Sequence, residues 1–259
     1  MKLGVNIDHI AVLREARRVN SPNLIEVLGI CQIAKADQIT IHLREDRRHI
    51  NDQDATNIIK HSMLPVNLEC SINDEMIKIA VKLNPHRITL VPENREEVTT
   101  EGGLDLEKHF DQIEKTVKIL HQNNIDVSLF IDPSKDMVEL SKQLNVKWIE
   151  LHTGSFANIY AMLYSGLEKT PHTIKELELD RKELKHQLKN SLVSLKTASV
   201  LADKLNLKVA AGHGLNYQNI SYIKEIKEIK ELNIGQSIIA RSIFTGLEDA
   251  ILDMKKLIN

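Results

Sequence analysis

Short stretches of alternating apolar and polar residues recur along the chain, and most of them end in Asn, Asp, His or Glu. Successive side chains of a β-strand point to opposite faces. In the stretch GVNID, Val5 and Ile7 therefore share one face, while Asn6 and Asp8 share the other. The same pattern places a polar group near the carboxyl end of stretch after stretch, at Asn6, Asp8, His42, Asn67, Glu69, Glu150, His152, His213 and Asn233.

The stretches predict eight strands that alternate with helical segments. We expect the strands near 2–8, 37–43, 65–70, 87–91, 125–131, 147–152, 207–211 and 231–235. Asn73, which precedes the acidic Asp74 and Glu75, is a typical helix N-cap, and Ser134 is a second. Eight strands, each followed by a helix, favour an α/β fold of the (β/α)8 or TIM-barrel type, with residues 1–259 as a single domain.

A doubly wound open sheet is the alternative architecture. Such a sheet usually has a Gly-rich turn after its first strand, and GVNIDHI is not one. A parallel sheet covered by helices is apolar on both faces, whereas here one face is polar at its carboxyl end. A barrel whose catalytic groups line its mouth accounts for that polar face.

The segment between the sixth and seventh predicted strands, about 155–205, is too long for one crossover helix. Its sequence KELELDRKELKHQLKNSLVSLKTASVLADKL is charged, Leu-spaced and helical in character. We predict a long helical insertion, which either decorates the surface or contributes to a contact between subunits.

Composition narrows the class of protein. The net charge of −2 and the 3% aromatic content argue against nucleic-acid binding. No apolar run reaches the roughly 18 residues of a membrane span, and MKLGVNIDH turns acidic too early for a signal peptide. The two cysteines, Cys31 and Cys70, form neither a disulfide framework nor a metal motif. We expect a cytoplasmic enzyme.

Three residues of the polar set are suited to proton transfer. His42 and His213 are imidazoles, which titrate near neutral pH, and Glu69 is a carboxylate whose pKa a crowded barrel mouth can raise. Such groups fit a reaction with many proton movements.

Two kinds of loop are candidates for binding phosphate. The basic stretch HLREDRRHI contains Arg44 and His49, and a guanidinium binds phosphate as a fork; Arg14 and Arg17 would extend its positive field. The turns 211–215 and 233–239 follow the last two strands, where barrels often bind phosphate through backbone N–H groups. The Gly-bearing stretch 98–105 is a candidate lid.

Two other functions fit part of the pattern. The first is a metal-dependent hydrolase of phosphorylated metabolites, because the polar set contains credible metal ligands. The HxH and HExxH spacings typical of metal sites are absent. The ligands would come from His9, His42, Glu69, Glu150, His152 and His213. A metabolite-binding or RNA-binding protein that uses the Arg-rich loop is the other.

The assembled motifs closely resemble the pyridoxine 5'-phosphate synthase family over nearly the whole chain. They are GVNIDHIAVLREAR at 4–17, ITIHLREDRRHI at 39–50, VNLE at 66–69, LVPENREEVTTEGGLD at 90–105, VSLFID at 127–132, IELHTG at 149–154, AGHGL at 211–215 and ELNIG at 231–235. The resemblance implies a (β/α)8 homo-octamer without metal or organic cofactor. It also implies condensation of 1-deoxy-D-xylulose 5-phosphate with 3-amino-2-oxopropyl phosphate to pyridoxine 5'-phosphate, with release of phosphate and water.

The resemblance also implies roles for individual residues. His42 and Glu69 match the family's proton acceptors, His213 its proton donor, and Glu150 the residue that stabilises the transition state. Other positions match those that bind the two substrates. Asn6, Arg17 and Gly214, with the turn at Gly235 and Gln236, match the site of the amino-ketone phosphate; Asp8, His9, Arg44, His49 and Thr99 match the site of the deoxyxylulose phosphate.

The chain departs from the family pattern in two places. Gln236 stands where the family member that we compare has His, so a charge is lost while a hydrogen-bond donor is kept. The insertion between the sixth and seventh strands is longer here, which bears on subunit packing more than on chemistry.

Overall fold

A computed structural model describes residues 1–93 and 102–259 of the chain, and its strands form a closed barrel. Eight parallel strands pair in chain order, and the eighth pairs with the first. The predicted (β/α)8 barrel is therefore confirmed, and the open sheet is excluded.

The strands lie within two residues of the predicted boundaries. They are β1 (Lys2–Asn6), β2 (Gln38–His42), β3 (Val66–Cys70), β4 (Arg87–Leu90), β5 (Asp126–Ile131), β6 (Trp148–His152), β7 (Lys208–Gly212) and β8 (Ile229–Ile234). The helices are α1 (Asp8–Glu15), α2 (Leu24–Ile33), α3 (Asp52–His61), α4 (Asp74–Leu83), α5 (Phe110–Gln122), α6 (Lys135–Gln143), α7 (Gly154–Tyr160), α8 (Arg181–Lys204), α9 (Ile220–Ile223), α10 (Gln236–Thr245) and α11 (Leu247–Ile258).

Local signals in the sequence position these helices as expected. The Asn73 side chain accepts a hydrogen bond from the Glu75 N–H at the start of α4, and Ser134 accepts one from Met137 at the start of α6. Each bond satisfies one of the backbone donors that a helix leaves unpaired at its N-terminus.

The insertion after β6 contains one long helix and several short turns. A π-helical segment, Ala161–Ser165, continues α7, and 3₁₀ turns follow at Leu167–Lys169 and Lys175–Leu177. The 24-residue helix α8 then begins at the N-cap Asp180 and packs against α6 and α7. The predicted long helical insertion is confirmed.

The strand alternation separates an aliphatic outer layer from a polar interior. Side chains such as Val5, Ile39 and Leu68 face the helices and are fully buried. The opposite positions face the barrel axis, where their side chains are hydrogen-bonded across strands; they include Gln38, Thr40, Asn67, Arg87, Glu231 and Asn233.

An ion pair closes the lower part of this interior. The Arg87 guanidinium contacts the Glu231 carboxylate and donates to Gln38 Oε1 at 2.7 Å and Asn67 Oδ1 at 3.3 Å. It also lies 4.4 Å from the centre of the Trp148 ring. The barrel is therefore filled by a hydrogen-bonded polar network beneath the carboxyl ends of the strands, where a purely aliphatic core is the commoner solution.

Candidate active site

Three of the predicted site residues meet where β1 and β2 end. Asp8 opens α1 immediately after β1, and its carboxylate accepts hydrogen bonds from the Asn6 amide at 2.8 Å and the His42 backbone N–H at 3.0 Å. The Asp8 N–H in turn donates to Asn6 Oδ1 at 2.9 Å. Asp8 thereby fixes the end of β2 and the inward direction of Asn6. It lies in helix α1, whereas we predicted it at the end of the first strand.

His42 lies opposite Glu69 in the pairing of β2 with β3, so the two residues share the inward face. Burial lowers the pKa of His42 to about 3, and the neighbouring Arg44, His49 and Arg48 act in the same direction. Its Nε2 atom is buried without a hydrogen-bond partner among the described residues. His42 is therefore a neutral imidazole with a polar atom available for a bound substrate.

Glu69 and Glu150 form a pair of carboxyl groups inside the barrel. Burial raises the pKa of Glu69 well above its usual value, and the charges of Glu150 and Asp8 raise it further. Burial also raises the pKa of Glu150, to about 7, against the opposing effects of the Asn233 hydrogen bond and the Arg87 charge. Carboxyl groups with raised pKa values can both give and take protons near neutral pH.

Glu150 occupies a closely fitted position. Its Oε2 accepts a hydrogen bond from the Asn233 amide at 2.6 Å, and only 3% of the residue is exposed. On the neighbouring strand, a Cβ at Gly212 would overlap Glu150 Oε1. Gly212 is thus required by the close approach of the carboxylate.

His213 follows β7 in a strained backbone conformation at the rim of the mouth. Its φ of 80° is unusual for a residue other than glycine and costs roughly 1–3 kcal/mol. Thr153 Oγ1 lies 2.6 Å from the His213 carbonyl oxygen and 2.7 Å from that of Gly212, which holds the turn in place. Although solvent reaches the residue, desolvation of the imidazole by the surrounding protein lowers the pKa of His213 to about 4. The charges of His152 and His9 lower it further.

His152 contacts His213 directly, with ring centres 5.0 Å apart and planes at 81°. Phe130 contacts both rings, at 5.1 Å from His152 and 6.4 Å from His213. The Nδ1 atom of His152 lies 3.1 Å from Asp132 Oδ1, and this hydrogen bond is the main reason for the lowered pKa of Asp132. Asp132 was not recognised in the sequence, because it lies just beyond β5 in VSLFID and only the fold brings it to His152.

The basic loop after β2 lies beside the mouth but is largely occupied by ion pairs. Arg44 is 7% exposed, and its Nε lies 3.7 Å from Glu93 Oε1. Arg48 forms a close pair with Asp46, at 2.6 Å. His49 is half-buried in the same loop. A phosphate in this loop would compete with Glu93 for Arg44.

Arg14, the first of the two arginines after β1, does not contribute to the positive field that we expected. Arg14 is buried in a bidentate pair with Asp54, with both distances at 2.8 Å, and it also donates to the His49 carbonyl oxygen. Arg14 therefore braces the loop that carries His49. Arg17 is exposed just beyond the end of α1.

The turn after β8 places a helix N-terminus at the mouth. A Cβ at Gly235 would lie 3.0 Å from Asn6 Oδ1, so glycine lets the turn pack closely on Asn6 without displacing that side chain. Gln236 is the exposed first residue of α10, whose first backbone N–H groups have no partner within the helix. Gly214 follows His213 with a φ of 79°. The geometry matches that of the phosphate sites found at helix N-termini.

Thr99 and most of the predicted lid lie outside the described residues. The described end of the stretch, Gly102 to Asp105, borders a cavity of about 430 Å³ beside the loops that follow β2 and β3. The Gly103 N–H donates to Asp132 Oδ1 at 3.1 Å.

Within residues 1–93 and 102–259, no group of three or more His, Cys, Asp or Glu side chains is arranged to hold a metal ion.

The raised pKa of Glu150 gives a prediction about stability. Its pKa is about 7 in the folded chain against an ordinary 4.5, so the folded state binds the proton more tightly. This contribution to stability is present below pH 4.5 and is lost as pH rises through about 7, on the order of 3 kcal/mol. Urea unfolding should therefore show that Glu150→Gln is more stable than the parent at pH 8 and close to it at pH 5.

The exposed Glu107 provides the matched control. Glu107→Gln should change the stability equally little at both pH values. An equal loss of stability at pH 5 and pH 8 in Glu150→Gln would contradict the assignment of a raised pKa.

Comparison with known proteins identifies relatives along the full chain. Residues 3–259 match the family model of the pyridoxal phosphate biosynthesis protein PdxJ. The chain is 66% identical over 258 residues to the pyridoxine 5'-phosphate synthase of Aliarcobacter butzleri, covering 100% of this chain and 99% of the relative. It is 62% identical to that of Sulfurovum sp. and 54% identical to that of Campylobacter fetus, in both cases covering 100% of each chain.

Solved structures with the same architecture are much more distant in sequence. A 3-hexulose-6-phosphate synthase superimposes with a TM-score of 0.61 at 14% identity, covering 100% of both chains. A phosphoribosylanthranilate isomerase from Thermotoga maritima gives 0.56 at 12% identity, covering 100% of this chain and 98% of that one. These similarities show the barrel fold alone.

In the described part of the chain, no helix is long and apolar enough to cross a membrane.

Proposed function

Because the chain belongs to the PdxJ family of pyridoxal phosphate biosynthesis proteins, we propose that it is the enzyme that forms pyridoxine 5'-phosphate in the mouth of this barrel. The substrates are 3-amino-2-oxopropyl phosphate and 1-deoxy-D-xylulose 5-phosphate. One observation carries the proposal beyond family membership. His42, Glu69, Glu150 and His213, on four different strands or the turns that follow them, converge at one end of the barrel with shifted pKa values.

The reaction begins when the amine of one substrate condenses with the ketone of the other to an imine, with loss of water. Elimination of phosphate, ring closure and a final dehydration then give the aromatic pyridine. Each step moves protons between carbon, nitrogen and oxygen. The site supplies acceptors and a donor for them without requiring an organic cofactor or a metal.

His42 and Glu69 are the proton acceptors in this mechanism. His42 is neutral in the protein, so its imidazole can accept a proton from a C–H or N–H of the substrate, and its buried Nε2 has no hydrogen-bond partner among the described residues. The pKa of His42 is held down partly by Arg44 and His49. A phosphate dianion bound to that loop would oppose their charge, so substrate binding would strengthen His42 as a base.

His213 is the proton donor, and Glu150 stabilises charge that develops in the transition state. His213 is neutral in the free mouth, and two phosphate groups would raise its pKa toward the physiological range. Glu150 lies on β6, opposite Ala210 of β7, and is held by a hydrogen bond from Asn233. Its raised pKa allows it to share a proton with Glu69.

Two separate anion sites are required for two phosphorylated substrates. Asp8, His9, Arg44 and His49, with Thr99, would bind the deoxyxylulose phosphate on the side of β2. Asn6, Gly214, Gly235 and Gln236 would bind the amino-ketone phosphate at the N-terminus of α10, assisted by Arg17. At Gln236 we expect a hydrogen bond in place of the charge that His would supply.

A turnover assay on chelator-treated protein tests this function. With both substrates present, pyridoxine 5'-phosphate and inorganic phosphate should appear in equal amounts, and neither should appear with one substrate alone. Phosphate release without a pyridine, restored by added metal, would instead favour the metal-dependent hydrolase.

Self-association is a further expectation, since the family resemblance implies a homo-octamer in the cytoplasm. Helix α1 packs against α10, and exposed apolar side chains occur on and beside both helices. Phe244 is 87% exposed and Ile243 75% exposed on α10, while Leu13 is 60% exposed on α1. Apolar exposure of this extent is typical of an interface between subunits.

Substitution of Phe244 should disrupt that assembly. We expect Phe244→Glu to lower the molar mass measured by light scattering, because a charge would be buried at an apolar contact. Met63→Glu is the control, since Met63 is 78% exposed just after α3 and belongs to neither α1 nor α10. An unchanged assembly in Phe244→Glu would place the interface elsewhere.

A further inference from the structure

The Asp132–His152 pair is a polar arrangement at the mouth to which neither the family resemblance nor the proposed mechanism gives a role. Asp132 lies just after β5 and His152 ends β6. Their hydrogen bond joins Asp132 Oδ1 to His152 Nδ1 at 3.1 Å. Because the pKa of Asp132 is lowered, the carboxylate is ionised at neutral pH and accepts the bond, so Nδ1 carries the proton. The tautomer of His152 is thereby fixed.

The other nitrogen of His152 has no hydrogen-bond partner among residues 1–93 and 102–259. Its Nε2 atom is buried without a hydrogen bond to any described residue, and the residue is 6% exposed. An unsatisfied buried polar atom costs free energy, so it usually has a function. His152 is therefore held on one side by a carboxylate and presents an acceptor on the other.

The His152 ring packs against the ring of His213. The two rings meet edge to face at 5.0 Å, and Phe130 contacts both of them. The backbone at His213 is strained, and Thr153, the residue after His152, holds the turn through the carbonyl oxygens of Gly212 and His213. The end of β6 therefore fixes both the backbone and the ring of His213.

We propose that Asp132 and His152 are positioning residues for His213: Asp132 fixes the tautomer and plane of the His152 ring, and that ring fixes the orientation of the His213 imidazole. The inference rests on the proposed function, in which His213 donates a proton. A carboxylate that orients an imidazole in this way is a recurrent catalytic arrangement. Here the carboxylate of Asp132 orients the His152 imidazole, and His152 in turn orients His213, which is the residue that contacts the substrate in the proposed mechanism.

The pair also connects His213 to the stretch after β4. The Gly103 N–H donates to the same Asp132 oxygen that His152 contacts, at 3.1 Å.

The groups that face His213 are His152 from β6 and His9 from α1, with Asp132 behind His152. Replacement of His152 by a neutral ring should therefore raise the pKa of His213.

Two variants separate positioning from packing. Asp132→Asn keeps the contact but removes the charge that selects the tautomer, and His152→Phe keeps an aromatic ring but removes both nitrogens. Both should lower kcat at least about tenfold with KM within about twofold, as expected when an imidazole loses the group that orients it. Asp126→Asn is the matched control, because Asp126 begins the same strand at the opposite end of the barrel and pairs with Lys147.

A double-mutant cycle tests whether the pair acts through His213. His213→Asn combined with Asp132→Asn should be no slower than His213→Asn alone, since the residue being positioned is already absent. A further loss in the double variant, or single variants within twofold of the parent, would overturn the inference. If the parent enzyme forms product but His213→Asn is fully active, it is instead the proton-donor assignment that fails.

NMR of histidine-labelled protein tests the pair without relying on turnover. The ¹⁵N shifts should show a proton on His152 Nδ1 in the parent and a changed tautomer in Asp132→Asn, and the pKa of His213 should rise in His152→Phe. An unchanged His213 titration and ring environment in both variants would overturn the inference whether or not the protein is active.

Discussion

Replacing Glu69 by Gln is expected to reduce turnover by about a hundredfold to ten-thousandfold, the range that a single acid–base group contributes. Glutamine has the shape of glutamate but cannot take a proton. Glu69 lies beside His42 across β2 and β3, and its pKa is raised by burial and by Glu150. Steady-state rates of pyridoxine 5'-phosphate formation measure the loss directly.

Binding should survive the same substitution. We expect the affinity for each substrate, measured by calorimetry, to stay within about threefold, because the proposed anion sites are on the loop after β2 and at the N-terminus of α10, not at Glu69. Glu75→Gln is the control, since its side chain is 76% exposed at the start of α4. Turnover in Glu69→Gln within threefold of the parent would remove Glu69 from the proton relay.

Replacing Arg87 by Met is expected to destabilise the fold by about 3–5 kcal/mol, because it leaves a buried charge without its partner. Glu231 is 3% exposed and contacts the Arg87 guanidinium in the lower half of the barrel. Gln38 and Asn67 lose hydrogen-bond donors as well. Urea unfolding at neutral pH measures the change.

The double substitution shows whether the buried charge is the cause. Arg87→Met with Glu231→Leu removes both charges, and we expect it to recover most of the lost stability, since paired apolar replacements are often neutral. Arg241→Met breaks an ion pair with Asp253 that is partly exposed, and should have a much smaller effect. A double variant as unstable as Arg87→Met alone would contradict this explanation.

The barrel could be predicted because its determinants are local. The alternation in GVNID and ITIHL fixes which side chains face the axis, and caps such as Asn73 fix where helices begin. Those rules also placed Asn6, His42, Glu69 and Glu150 at one end of one face. The roles of these residues came from the resemblance to a family, and they remain proposals.

Contacts between strands distant in sequence could not be predicted in the same way. Arg87 begins β4 and Glu231 lies in β8, 144 residues apart, so neither residue alone indicates a buried ion pair. The expected positive field of Arg14 was wrong, because Asp54 on α3 neutralises it. Asp132 directly follows β5, so the sequence signal for it is its place just beyond a predicted strand.

We propose that the two phosphorylated substrates meet over Glu69 in the mouth of the barrel. The structure of the Glu69→Gln variant grown with both substrates tests it most directly. We predict one phosphate at the N-terminus of α10 and the other in the loop with Arg44 and His49, with the reacting carbons between His42 and His213. Substrates bound elsewhere, for example in the cavity of about 330 Å³ between α4 and α5, with the mouth empty, would contradict the account.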